Sequence, residues 1–212
     1  MTEPERGRLI TIEGGEGVGK STNLERVART LEERGIVVHR TREPGGTRLA
    51  EGIRELLKDP ETRITARAEL LLIFAARASH LEEELRPRLA RGEWVVCDRF
   101  TDATYVYQGV ARQLGRAPVA WLEDWVQEEL RPDLTILLDA PVALGFERAD
   151  GRGRRDRFER ESEAFFEQVR DGYLARARAE PERFRIVDAA GHPDEVGQEL
   201  RNILEDWLEQ GG

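Results

Sequence analysis

The sequence predicts an α/β protein: a five-stranded, mostly parallel β-sheet flanked by helices. Three observations lead there. Short apolar, β-prone blocks at residues 9–12, 36–38, 94–97, 134–138 and 184–187 alternate with longer stretches whose apolar residues fall at helical spacing. The largely apolar run at 134–138 is typical of a strand covered on both faces, and the alternation of such blocks with helices implies a mostly parallel sheet with helices on both sides. With 212 residues and 39% hydrophobic content the chain can bury one large core, and no repeat, low-complexity linker or compositional break divides it, so residues 1–212 read as one domain.

Taken in order, the first strand runs into a glycine-rich turn and then a helical pattern of Leu24, Val27, Ala28 and Leu31, stopped by Gly35. Ile36-Val37-Val38 opens the second strand, which ends in the turn Pro44-Gly45-Gly46. A long helical region follows, interrupted near Lys58-Asp59-Pro60, with Leu70, Leu71, Phe74, Ala75, Ala78 and Leu81 on its apolar face. The third strand is 94–97; a helix over about 119–130 leads through Arg131-Pro132 into the fourth, 134–138. A helix starts near Pro141. Residues 150–157, with two glycines and many arginines, break the pattern and predict a mobile surface loop. A helix over about 159–179, the last strand and a helix over about 193–208 complete the chain. In such sheets ligands bind beyond the carboxyl ends of the strands, so functional residues are expected just after each one.

Composition excludes several classes. The 42 acidic residues outnumber the 33 basic ones for a net charge of −9, which argues against a nucleic-acid polymer or an anionic membrane as main partner. The single cysteine, Cys97, has no partner for an internal disulfide, and His39, His80 and His192 lack zinc-ligand spacing; a reducing cytoplasm fits. The apolar run at 70–76 is far shorter than the roughly 20 residues that span a bilayer. Cys97 reads as a buried strand residue, and Trp121, Trp125 and Trp207 as helix residues engaged in packing.

The segment Gly14-Gly15-Glu16-Gly17-Val18-Gly19-Lys20-Ser21, followed by Thr22, satisfies G-x-x-x-x-G-K-S between a strand and a helix. Glycines let the backbone wrap an anion so that N–H groups and the helix N-terminus face phosphate oxygens. Lys20 would supply a point charge to the β- and γ-phosphates of ATP, and the Ser21 hydroxyl would ligand Mg²⁺. A guanine-reading N-K-x-D segment is missing, since the only asparagines are Asn23 and Asn202. Asp188-Ala189-Ala190-Gly191 formally matches D-x-x-G but serves no such reader. A small phosphotransferase of the phosphate-loop class remains, with a nucleotide-regulated binding protein as the competing class.

On the acceptor side, Arg42 follows the second strand, Arg77 sits on the long apolar helix, and Asp98-Arg99 follows the third strand. Any one arginine is ordinarily a solvated or ion-paired surface residue, but at successive strand ends they converge on one crevice, where planar guanidinium groups suit phosphate oxygens. Asp98 has two readings: ordering Mg²⁺ through water, or pairing with an arginine.

Glu13-Gly14 with the phosphate loop, Thr41-Arg42-Glu43-Pro44-Gly45-Gly46, Glu69-Leu70-Leu71-Leu72 leading to Arg77, Asp98-Arg99-Phe100 and Tyr107-Gln108-Gly109 together resemble the thymidylate kinase family, in order and over most of the chain. The resemblance implies transfer of the ATP γ-phosphoryl group to dTMP, giving dTDP, usually in a homodimer. It implies that Arg99 holds the dTMP phosphate, that Arg77 hydrogen-bonds the thymine edge, and that Tyr107 crowds the sugar 2′ position. Gln108 and Pro44 become pocket residues, Glu16 lies near the sugar 3′-hydroxyl, and Arg54 adds a phosphate contact. The sequence departs from the family where relatives often stack a phenylalanine on thymine: that position is Ile73, with Phe74 one step and about 100° round the helix. Ala103 stands where relatives often have serine, with Thr104 adjacent, and Phe100 replaces the usual tyrosine. A different nucleoside monophosphate or a deoxynucleoside is the alternative acceptor.

Arg152-Gly153-Arg154-Arg155-Asp156-Arg157 carries four arginines in six residues. A basic run is usually a solvated loop, but this one lies where such enzymes carry a closing lid. The phosphate loop has no arginine of its own. The resemblance is thus to the bacterial type, in which Arg152, Arg154 and Arg155 would bring the transition-state cation. An ionised phosphate oxygen as nucleophile would need no general base.

Overall fold

A computed structural model of the chain describes residues 6–149 and 156–211. Its strands are β1 (Leu9–Gly14), β2 (Val38–Arg42), β3 (Trp94–Asp98), β4 (Leu134–Asp139) and β5 (Phe184–Asp188). They form one sheet in the order β2-β3-β1-β4-β5, and every pairing is parallel. Each residue of central β1 is buried, Leu9, Ile10 and Ile12 in the apolar core and Thr11 and Glu13 as buried polar groups. Ile10, Ile12, Val96, Leu134 and Ile136 face one layer, while Leu9, Val95 and Cys97 face the other, following the two-residue period of a strand.

The helices are α1 (Lys20–Glu32), α2 (Arg48–Lys58), α3 (Ala66–His80), α4 (Arg86–Ala90), α5 (Thr101–Thr104), α6 (Arg116–Gln127), α7 (Val142–Ala149), α8 (Glu163–Ala179) and α9 (Pro193–Glu209). A π-helical turn, Leu81–Leu85, joins α3 to α4, and a second, Tyr105–Ala111, extends α5. Thr47, Thr65 and Ser162 cap α2, α3 and α8 by accepting from the N–H three residues on. β1, β3 and β4 deliver their carboxyl ends side by side, since Ile12 pairs with Asp98 and Gly14 with Leu138.

Several boundaries differ from the sequence reading. The second strand begins at Val38 because Gly35, at φ 81°, ends α1 and the Ile36 N–H closes that helix on the Leu31 carbonyl; pairing starts only opposite Trp94. α8 begins at Glu163, since Ser162 caps it and residues 157–160 form a separate turn. α6 runs from Arg116 to Gln127, ended by Glu128 at φ 53°. The segment 101–111, rich in β-branched and aromatic residues, is helical because burial of Tyr105, Val106 and Tyr107 overrides weak propensity. Trp207 packs edge-on against Trp94 at 5.7 Å, as expected. Trp121 and Trp125 do not pack into the core: they are 65% and 70% exposed on α6 and stack on each other, one helical turn apart and away from the buried Val119 and Leu122. Cys97 is buried. Among the described residues no helix is long and apolar enough to cross a membrane. Arg152, Arg154 and Arg155 lie outside the described residues.

Candidate active site

The glycine-rich loop leaves β1 and wraps the start of α1. Gly19 stands before the helix at φ 87° with no side-chain cap, so the first-turn N–H groups of α1 are free to meet an acceptor at the loop. Gly17, at φ 71°, lies so close to α7 that a Cβ would fall 2.0 Å from the Gly145 carbonyl oxygen, and Gly145 is equally confined against Glu16. Only glycines permit this contact, and the sequence carries no local sign of Gly145's part in it. Lys20 Nζ donates to the Gly15 carbonyl at 2.5 Å, lying back over its own loop.

A cavity of about 310 Å³ opens beyond the strand ends. Glu16, Gly17, Gly19, Lys20, Ser21 and Thr22 form its phosphate-loop side. Asp98, Arg99, Ala103, Thr104, Tyr107 and Gln108 come from β3 and the helix after it; Pro44, Arg54, Ile73 and Arg77 close the far side. Gly14, Gly15 and Val18 instead border a narrow cleft of about 20 Å³ behind the loop, with Val18 buried in the core. Two expectations are corrected. Arg42, at the end of the edge strand, is exposed and bound to Glu51 at 2.9 Å outside the cavity. Phe74 is 2% exposed and turned into the core with Leu70, Tyr105 and Leu122, because one residue along α3 is a quarter-turn away from the cavity.

The arginines are held from behind by carboxylates. Arg77 is 2% exposed; its Nε donates to Glu43 Oε2 at 2.6 Å and its Nη2 to Thr104 Oγ1 at 3.0 Å. Phe74 and Phe100 lie 4.8 and 5.0 Å from its guanidinium carbon, and Nη1 is buried without a hydrogen-bond partner. Glu43 also meets His80 Nδ1 at 3.0 Å; burial alone would raise this carboxyl, but Arg77 and His80 hold it below the usual range. Arg99 adopts φ 67°, rare outside glycine, and the Phe100 N–H that follows donates to the buried Glu13 at 2.7 Å. Arg99 donates to Glu16 at 2.5 Å, to the Gly14 carbonyl at 3.0 Å and to the Tyr173 hydroxyl at 3.1 Å, and its guanidinium lies over Tyr107 at 4.9 Å.

Charges in the cavity perturb one another. Against the cost of burial, Lys20 and Arg99 hold the Glu16 carboxyl down to about 2, so it is ionised at neutral pH. Burial and then the Arg99 cation lower the Lys20 ammonium; burial and Arg42 lower Arg54, to which Arg99 adds. Burial of Lys20 and Arg54 beside other cations disfavours their charged forms, a cost an entering anion relieves, whereas Arg99, though buried, has its cation favoured by the surrounding Tyr107, Glu16, Tyr173 and Asp98. Glu13 is pushed up to about 7, by burial first and then by Asp102. Asp98 makes no salt bridge among the described residues, and its buried Oδ1 has no hydrogen-bond partner. Sequence reasoning passed over Glu43, Tyr173, Leu57, Lys58 and Phe158. Glu43 sits inside a recognised motif, but Tyr173 reaches Glu13 across 160 residues of sequence with no local signal.

A parallel sheet whose central strand feeds a phosphate-binding loop into an arginine-lined cavity defines a phosphate-loop kinase of the kind that acts on nucleoside monophosphates. The family model for thymidylate kinase matches residues 12–200. Thymidylate kinase of Pseudomonas savastanoi pv. phaseolicola is 56% identical over 204 residues, covering 96% of this chain and 97% of the relative. That of Methylococcus capsulatus is 57% identical over 183 residues, covering 86% and 88%, and that of Alcanivorax borkumensis 55% over 201, covering 94% and 97%. The chain belongs to the thymidylate kinase family.

Proposed function

We propose that this chain transfers the γ-phosphoryl group of ATP to dTMP, giving dTDP for nucleotide biosynthesis. The observation that carries the reading is the single cavity in which the phosphate loop faces Arg54, Arg77 and Arg99. The loop and the free N-terminus of α1 would take the donor phosphates, with Lys20 reaching the β- and γ-oxygens. Arg99 and Arg54 would take the acceptor phosphate, exchanging contacts to Glu16 and to the Pro44 carbonyl for phosphate oxygens. Arg77, fixed on three sides with Nη1 unsatisfied, would donate to the base edge beside Gln108, which Glu69 orients at 2.7 Å. Tyr107, buried and donating to Glu16 at 3.4 Å, would limit space at the sugar 2′ position, and ionised Glu16 would accept from the 3′-hydroxyl.

The acceptor phosphate, with a second pKa near 6, is ionised at neutral pH and attacks in line, so no side chain removes a proton. Glu16, held near 2, is correspondingly unsuited to be a base. Magnesium fits the site on one observation: Asp98 Oδ1 is buried and unpartnered, and Asp98 and Ser21 line the same cavity. Those two residues would hold the ion, Asp98 through water, and it would neutralise charge on the β- and γ-phosphates. Arg152, Arg154 and Arg155 would supply the closing cation, worth roughly 10³ to 10⁵ in rate, on the sequence argument alone. The chain would act as a homodimer, in which a second copy would cover the exposed Trp121–Trp125 stack on α6.

A coupled assay of ADP production tests the reading with dTMP, dUMP, dCMP, UMP and AMP. Preference for dTMP supports it. Preference for another monophosphate moves the chain to a different acceptor, and ADP release that no acceptor stimulates rejects phosphoryl transfer.

A further inference from the structure

We propose that Phe158, in the turn after residues 150–155, is the aromatic wall for the acceptor's base and a specificity-determining residue of the site. The inference deepens the acceptor reading above and rests on it. α3 offers no aromatic side chain to the cavity: Ile73 lines it, while Phe74 is committed to the core beneath Arg77. Three other aromatic residues border the space. Phe100 is fully buried under Arg77, and Tyr107 is only 6% exposed, with its hydroxyl turned to Glu16. Phe158 alone is half-buried and belongs to the apolar wall, packed with the cluster of Ile53, Leu57 and Ile73 and meeting the Tyr107 ring edge-on at 6.3 Å.

The ring is held in place before any base arrives. The Arg157 N–H donates to the Lys58 carbonyl at 3.0 Å and its Nε to the Leu57 carbonyl at 2.7 Å, pinning the turn to the end of α2. The Arg157 guanidinium pairs with buried Glu69 at 2.6 Å and lies over the Phe158 ring at 4.4 Å. Lys58 pairs with Asp156 at 3.1 Å, and Asp156 Oδ1 accepts from the Phe158 N–H at 2.9 Å. A ring fixed this way loses little freedom when a planar base covers it. Glu69 also orients Gln108, so one buried carboxylate sets both the aromatic wall and a polar contact of the base pocket. The residue missing from α3 is thus replaced from a segment adjoining the predicted lid, which ties base recognition to that segment's position.

The test compares wild type with Phe158→Leu and Phe158→Trp, measuring kcat, KM for dTMP, and the inhibition constant of 2-deoxyribose 5-phosphate, an acceptor fragment with no base. Phe158→Leu is expected to raise KM for dTMP about tenfold, to leave kcat within about threefold and to leave the fragment's constant unchanged, since base stacking alone is lost. Phe158→Trp is expected to hold KM within about threefold, and adding Ile73→Phe to Phe158→Leu to recover most of the loss by returning an aromatic ring to α3. An unchanged KM in Phe158→Leu, or equal weakening of dTMP and the base-free fragment, overturns the proposal. Wild-type turnover is read separately: if the panel selects another monophosphate, the dTMP reading fails, and the same comparison on that acceptor still decides the role of Phe158.

Discussion

Replacing Glu43 by Gln tests whether the carboxylate behind Arg77 is what fixes the base-reading arginine. The pair is buried, with side-chain exposures of 1% and 4%, and joined at 2.6 Å. Removing one partner of a buried pair strands the other charge, which costs about 3–5 kcal/mol; Gln keeps an acceptor for Nε, so the lower end, about 3 kcal/mol, applies. At this chain length 1 kcal/mol moves Tm by roughly 2–4 °C, so Tm should fall by about 6–12 °C at pH 7. The sign with pH follows from the depressed carboxyl. Because its folded pKa lies below the ordinary 4.5, the stabilisation is complete above 4.5 and disappears as pH falls through the lower folded value. Urea unfolding of both proteins between pH 7 and pH 3 should therefore show a gap that closes towards the acid end. KM for dTMP should rise as well, since Arg77 loses its anchor while Thr104, Phe74 and Phe100 remain. A loss under about 1 kcal/mol at pH 7, or a gap that persists unchanged at pH 3, would refute the assignment.

Three further outcomes are expected. Glu13 is displaced the other way, up to about 7, so it favours the fold below 4.5 and that contribution is lost as pH rises through 7; Glu13→Gln should flatten this decline, whereas an unchanged slope would place the titration elsewhere. Gly17→Ala would put a Cβ 2.0 Å from the Gly145 carbonyl oxygen at a positive φ, so ATP binding by calorimetry should fall at least about a hundredfold; near-normal affinity would show that α7 yields freely. Trp121→Glu with Trp125→Glu should convert a dimer to monomers by sedimentation with little change in Tm, both side chains being exposed; a dimer that persists would exclude this face.

What the sequence disclosed follows how far apart the interacting residues are. The phosphate loop is one continuous segment with a local pattern, so its place between β1 and α1 could be read from residues 14–21 directly. The identities of the arginines were equally legible, but not their directions. Arg42 and Arg54 both looked suited to phosphate, yet Arg42 ends the edge strand and pairs with Glu51, whereas Arg54 projects from α2 into the cavity and donates to the Pro44 carbonyl. Ile73 and Phe74 differ by one step in sequence, and only the seating of α3 against α6 decides that the aliphatic residue faces the cavity. The reach of Tyr173 to Glu13 and Arg99, and the docking of the 157–160 turn on the end of α2, depend on tertiary contacts that no periodicity encodes.

The charge arrangement explains how a chain of net charge −9 can draw two anions into one cleft. Two of the cavity's carboxylates are set behind individual guanidinium groups, Glu43 on Arg77 and Glu16 on Arg99, so each of these acids orients a cation that still faces the space, while Asp98 Oδ1 has no hydrogen-bond partner. The two lysines among 33 basic residues both line that same cavity. Arginine excess could be read as compositional bias, but the physical requirement differs at these positions. Lys20 lies back along its own loop to the Gly15 carbonyl, a tight path that suits a slender stem with a compact ammonium better than a planar fork. Lys20→Arg should accordingly fail to restore phosphoryl transfer although the charge is kept, whereas Arg99→Lys, at a position that grips several acceptors at once, should fail for the opposite reason.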